Sequence, residues 1–307
     1  MASSSTATRK SQWSSFQRFC DGHSLVSLPC TEHTVCLFIA ELSQRHLEYN
    51  TVVNYIHSIT SLHHRHDHLG PDLQHFSIRE ALAGLQRSRR ELPYQKQAIT
   101  LHHLHCIHRE LRGLPRERRA VFWAACLTAF NSLLRSANLF PQPAQPDKAI
   151  RRMDVTRTAL GLELTIRVLK TNRFSGEELK IPLHRLPIQN YLCPVRAIER
   201  LLAQDFPPLS PLFSHTESGK TLHLSARQFV SDLRSCLASN KESASFSTHS
   251  FRRGGTTFAI DNGVDISAVK AQGNWRSDCY NRYVDNKPAL KNTFTATVAR
   301  SVAVRRK

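Results

Sequence analysis

Residues 248–257 read THSFRRGGTT, which sets His249 three positions before Arg252, adds Arg253, and then places Gly254 and Gly255. An imidazole and a guanidinium this close suit work on an anion, because the guanidinium fork grips two oxygens while imidazole exchanges a proton near neutral pH. Three further positions extend the set. Arg135 follows the apolar run RRAVFWAACLTAFNSLLRS (118–136), Lys170 ends the alternating segment LELTIRVLK, and Tyr283 lies in SDCYNRYVDN. Two arginines can hold a phosphodiester and stabilise the extra negative charge of five-coordinate phosphorus, while a phenol oxygen attacks it directly. A lone Arg or Tyr is usually structural; five such residues in compatible order carry far more information.

Other chemistries lack their remaining parts. LHHRHDHLG (62–70) spaces His64 and His68 four apart, yet neither it nor LHHLHCIH (101–108) carries the Glu of an H-E-x-x-H helix or paired cysteines. Surface histidines on a basic protein account for both runs, and no metal is expected. Acidic residues are scattered, with Glu199 and Asp232 inside helix-face patterns, which weighs against a two-metal nuclease. ESGKTLHL (217–224) contains Gly-Lys-Thr without the earlier glycine of a phosphate-cradling loop, so Gly219 and Lys220 read as a turn.

Composition points the same way. Among 307 residues, 42 Lys and Arg face 24 Asp and Glu, a formal charge of +18. So basic a chain most often meets a polyanion, nucleic acid ahead of an acidic membrane surface. Cys20, Cys30, Cys36, Cys106, Cys126, Cys193, Cys236 and Cys279 show no C-x-x-C pairing and read as reduced, buried thiols of an intracellular protein. No apolar run is long enough to span a bilayer, and MASSSTATRK lacks the apolar centre of a secretory signal, so no membrane partner is expected.

The elements that must position these groups follow from periodicity. Trp13, Phe16, Phe19 and Cys20 form one apolar helix face; Val35, Phe38, Ile39 and Leu42 form a second behind Thr31; Val52, Tyr55, Ile56, Ile59 and Leu62 form a third. Ser77 and Glu80 have capping-box spacing ahead of Leu82 and Leu85, predicting a fourth. LQRSRRELPYQKQAIT (85–100) breaks the pattern with charge and a proline, which marks a basic linker. A helix then starts at Leu101, and 118–136, apolar nearly all round, reads as buried. LELTIRVLK and ELKIPL (178–183) alternate across a turn containing Gly176, predicting one β-hairpin. Helices resume at 193–204, 225–238, THSFRRGGTT, ISAVKAQG and SDCYNRYVDN. The fold class is mainly α with a small β-hairpin, α+β.

These boxes together resemble the tyrosine recombinase (phage integrase) family over most of the chain. HSFRRGGTT resembles its H-x-x-R box, FNSLLRSANLFP its first-arginine box, IRVLKTNRF its lysine hairpin and QGNWRSDCYNRYVD its nucleophile box. The wording is most similar to the Crypton and DIRS recombinases of eukaryotic mobile elements. The resemblance implies a helical core-binding domain over 11–88 after a disordered 1–10, a basic linker 89–99, a catalytic domain 100–290 and a tail 291–307. It implies that Tyr283 attacks a scissile phosphate to leave a 3′-phosphotyrosyl link and a free 5′-hydroxyl. Arg135 and Arg252 would stabilise the transition state, Lys170 would protonate the leaving oxygen and His249 would assist proton transfer, with no cofactor.

Departures from the family pattern are specific. Asn138 stands three residues after Arg135, where many bacterial relatives carry an acid, and Asn274 stands where His or Trp is usual, with Trp275 next to it. Either Trp275 supplies the packing and indole N–H after a one-residue shift, or that auxiliary contact is weakened. Tyr280 is a rival phenol, which helical register turns away from the site. Arg87, Arg89, Arg90, Lys96, Arg173 and Arg253 are the expected phosphate contacts on double-stranded DNA, held by a clamp that assembles as a tetrameric synapse. The implied location is the nucleus. The competing readings are a domesticated or decayed DNA-binding protein that does not cut, favoured by Asn274, and a type IB topoisomerase-like monomer.

Overall fold

The computed structural model describes residues 3–88, 96–143, 145–167, 178–238 and 243–283. Lys170, Arg173, Arg89 and Arg90 lie outside them, as does the side chain of Tyr283. The chain divides into two compact units, Met1–Tyr94 and Gln95–Lys307. Among the described residues no helix is long and apolar enough to cross a membrane.

The first unit is four helices, α1 (Ser3–Gly22), α2 (Glu32–Gln44), α3 (Tyr49–Arg65) and α4 (Phe76–Ser88). Their apolar faces meet at Phe38, whose ring lies 5.1 Å from Phe16, 5.1 Å from Phe19 and 5.9 Å from Tyr55. Thr31 caps α2 by accepting the Thr34 N–H at 3.3 Å. Three expectations change. Residues 3–10, expected to be disordered, belong to α1, where Arg9 donates to Ser61 at 3.4 Å and Gln12 accepts from Ser58 at 2.5 Å on α3. Ser77 lies inside α4 rather than capping it, and the ring of His75 accepts the Ser77 N–H at 3.3 Å. His63 is not a surface histidine but fully buried. Its Nδ1–H donates to the Ile59 carbonyl at 2.9 Å, and its Nε2 accepts the Cys30 N–H at 2.9 Å, which fixes one neutral tautomer as a core fastener.

The second unit is built round α6 (Arg116–Ser132), which follows α5 (Leu101–Glu110) and buries every residue from Val121 to Phe130. A helix without a polar face needs partners on all sides. These include α8 (Pro194–Leu202) and α10 (Thr248–Asp261), while the short α7 (Ser136–Leu139) leaves the end of α6. The hairpin is one strand larger than sequence periodicity showed. β2 (Gly161–Ile166) pairs antiparallel with β3 (Leu179–His184), matching Leu164 to Ile181, and also with β1 (Val155–Thr158). The Gly219 turn likewise closes a second small sheet of β4 (Ser214–Glu217) and β5 (Lys220–His223), so the expected single sheet is two. Two more helices, α9 (Ala226–Cys236) and α11 (Ile266–Gln272), begin at side-chain caps from Ser225 and Asp265. Of the cysteines expected to be buried, Cys36 and Cys106 are only partly so.

Gly254 and Gly255 let α10 pass between two main-chain segments. A Cβ on Gly254 would stand 1.8 Å from the Ile99 carbonyl oxygen, and one on Gly255 2.1 Å from that of Phe130 on α6. Neither obstacle is a flexible side chain, so backbone would have to move. Gly254→Ala and Gly255→Ala should each lower stability by about 1–3 kcal/mol, measured as a fall in the urea midpoint. Gly84→Ala, with nothing within 4 Å of the added Cβ, should leave it unchanged or raised.

Candidate active site

Three segments far apart in sequence deliver the site's described groups. At the end of α6, Leu133 takes a left-handed conformation with φ 52°. The Ser132 hydroxyl accepts the Leu134 N–H at 3.3 Å, and the chain turns so that Arg135 emerges half-buried at the N-cap of α7. Ser247 and Ser250 form a capping box, which starts α10 just before His249. Gly273 ends α11, and Asn274 follows it with φ 49°.

Arg252 is the centre of the arrangement and only 2% exposed. Its Nη1 donates to the Leu133 carbonyl and its Nη2 to that of Gly273 at 2.7 Å. Both acceptors are helix C-caps, where unpaired carbonyls gather partial negative charge, so the guanidinium closes two helix ends at once. The Trp275 ring lies beneath it, 4.0 Å from the guanidinium carbon, a stacked cation–π contact. Trp275 fits there because Gly273 has no side chain: a Cβ would sit 1.9 Å from the indole. Carbonyls carry no net charge, so these contacts hold the cation without neutralising it.

His249 stands one turn before Arg252 and as a residue is open to solvent. Partial burial, then the positive charges of Arg252 and Arg135, hold its imidazole below the ordinary value, which places all three groups in one electrostatic neighbourhood. Arg253 is half-buried on the same helix, and burial lowers its pKa as well. Asn274 keeps a buried Nδ2 without a hydrogen-bond partner among the described residues. Of the other expected phosphate contacts, Arg87 pairs with Glu80 at 3.5 Å on α4, and Lys96 donates to the Ala244 carbonyl at 3.3 Å.

The nucleophile box departs from the expected helix. Within the described residues it is a 3₁₀ turn, Asp278–Tyr283. Three residues make one turn of such a helix, so positions 280 and 283 share a side and spacing does not separate the two tyrosines. Depth distinguishes Tyr280, which is 9% exposed in an apolar cluster with Leu133, Ile260, Val269 and Trp275. Sequence reasoning missed the carbonyls of Leu133 and Gly273, since backbone acceptors leave no residue signature; the glycine before Asn274 was the one available sign of a helix end. Among the described residues no group of three or more His, Cys, Asp or Glu could hold a metal.

The chain matches no protein-family model and no curated protein. Solved structures do match. A lambda integrase dimer bound to a core site aligns over 94% of this chain and 90% of its own, with TM-score 0.59 and 12% identity. XerH recombinase in a post-cleavage complex with its palindromic difH substrate aligns over 87% and 71%, with TM-score 0.59 and 11% identity. The Tn1549 transposon integrase with transposon right-end DNA aligns over 87% and 85%, with TM-score 0.57 and 13% identity. The fold is that of the tyrosine recombinases. At so low an identity the likeness is one of fold alone and leaves the chemistry to the side chains.

The depressed pKa of His249 has a consequence for stability. Since the folded state resists protonation there, the unfolded chain binds more protons as pH falls below the ordinary histidine value of about 6.5, and stability is lost. His249→Gln removes that loss. Its urea midpoint relative to the unsubstituted protein should rise between pH 7.5 and pH 5.5; a constant difference would show that His249 titrates normally.

Proposed function

We propose that the protein breaks and rejoins duplex DNA as a tyrosine recombinase, serving the integration or excision of a mobile element. The observation that carries this reading is the convergence of Arg135, His249 and Arg252, with a buried guanidinium held by neutral carbonyls. That is a preorganised cationic site for a phosphate, with donors fixed before the substrate arrives. The folds of the three aligned recombinases, each solved in complex with DNA, support the same substrate class.

In this reading Tyr283 attacks phosphorus, the bond to the 5′ oxygen breaks, and a 3′-phosphotyrosyl link forms. Arg135 and Arg252 stabilise the charge on the non-bridging oxygens. His249, kept neutral by its neighbours, accepts the phenol proton, and Lys170 gives a proton to the departing 5′-hydroxyl. The phosphoester link conserves the bond energy, so rejoining is the reverse reaction with another 5′-hydroxyl. Arg87, Arg89, Arg90, Lys96, Arg173 and Arg253 contact backbone phosphates, and the enzyme works as a homo-oligomeric synapse. A eukaryotic element of Crypton or DIRS type places that work in the nucleus.

The test is a nicked suicide duplex carrying candidate element ends, from which the cleaved strand cannot religate. Wild type should form a denaturant-resistant adduct that disappears in Tyr283→Phe and falls by roughly 100-fold or more in rate in Arg252→Lys, which loses the two-pronged grip. An adduct that survives Tyr283→Phe would move the nucleophile. DNA binding without an adduct on any authentic end would favour a DNA-binding protein that does not cut.

A further inference from the structure

Leu133, Ile260, Val269, Trp275 and Tyr280 form an apolar cluster separate from the main core of the second unit. Each member comes from a different place: the end of α6, the end of α10, α11, the turn after it, and the 3₁₀ turn Asp278–Tyr283. Two of them also hold the central arginine, Leu133 through its carbonyl and Trp275 through its ring. One small cluster therefore touches both Arg252 and the main chain that carries Tyr283.

We propose that Tyr280 is a positioning residue, whose buried ring fixes the turn bearing Tyr283 to the support that holds Arg252. This rests on the reading of Tyr283 as the nucleophile. The turn's other described side-chain tie is an ion pair from Lys270 to Asp278 at 3.1 Å, with the Lys270 ammonium 5.9 Å from the Tyr280 ring. Asp278 is 76% exposed, and a pair so open to water contributes little. The ring of Tyr280 is the firm attachment. It lies one 3₁₀ turn, about 6 Å along the helix axis, from position 283, so its loss frees the backbone of the nucleophile directly. In-line attack is sensitive to such freedom, since a displacement of about 1 Å costs on the order of 100-fold in rate. The phenol oxygen has no part in this; the ring does.

Tyr280→Ala and Tyr280→Phe separate these roles in the full-length protein. Three quantities are measured: the single-turnover adduct rate on saturating suicide duplex, the Kd for that duplex, and amide hydrogen exchange across 278–283 and α6. Tyr280→Ala should slow adduct formation about 100-fold and speed exchange in 278–283, while Kd stays within about twofold and α6 stays protected. Tyr280→Phe should restore all of these. Wild-type exchange in 278–283 of Tyr280→Ala, equal loss of protection in α6, or a Phe variant as slow as Ala would each overturn the proposal. If wild type forms no adduct while exchange still separates Ala from Phe, the anchoring of the turn stands and the reading of Tyr283 as nucleophile falls.

Discussion

A guanidinium removed from water must be held by something, and in this protein that requirement organises the second unit. Arg252 is almost fully buried, and its desolvation costs several kcal/mol on its own. Hydrogen bonds to the carbonyls of Leu133 and Gly273, each worth about 1.5–3 kcal/mol for a charged donor, offset that cost. The Trp275 face adds about 2 kcal/mol in so dry a setting. Carboxylates could offset the same burial, but a carboxylate would cancel the positive charge. Helix-end carbonyls stabilise the cation and leave it cationic.

Several other features of the unit follow from that arrangement. α6 must end within reach of α10, which is why its C-cap is a left-handed leucine whose side chain is buried in the satellite cluster. Backbone strain of roughly 1–2 kcal/mol at such a residue is offset by burying the leucine side chain. α10 must run close to α6 and to Ile99, which only residues without a Cβ permit, hence Gly254 and Gly255. α11 must stop where its last carbonyl faces the guanidinium, and the bare Gly273 there makes room for the indole. Each of these residues looks conformational when taken alone. Together they aim one cation.

How much of this was legible in the sequence depended on what each feature is made of. Long helices announced themselves, since Phe38, Ile39 and Leu42 repeat at helical spacing and α6 carries an almost unbroken apolar run from Ala120 to Phe130. The hairpin β2–β3 was visible because Leu162, Leu164 and Ile166 alternate inward. β1 and β5 were not: their residues are mostly exposed, so no apolar alternation marks them. His63 reads as a surface residue in the sequence because its burial depends on the Cys30 amide and the Ile59 carbonyl, which no residue type encodes. The same holds at the site. His249, Arg252 and Arg135 were legible as a set by type and order, whereas the carbonyls that hold Arg252, and the depth of Tyr280, exist only in the folded chain.

The grouping of Arg252, Arg135 and His249 also has an electrostatic cost that the proposed function explains better than stability does. Burial first, and then the repulsion of the two guanidiniums, drives the His249 imidazole toward its neutral form. Elsewhere in the unit acids meet a partly buried cation directly: Arg118 lies 3.3 Å from Asp232 and 3.7 Å from Glu217. In that pair of cases the unit uses both solutions to the same problem. Around Arg118 carboxylates face the guanidinium; around Arg252 two helix-end carbonyls and an indole ring do. On the proposed reading, a phosphate bound there would relieve repulsion that folding has already imposed, so part of its binding energy would be stored in the protein before it arrives.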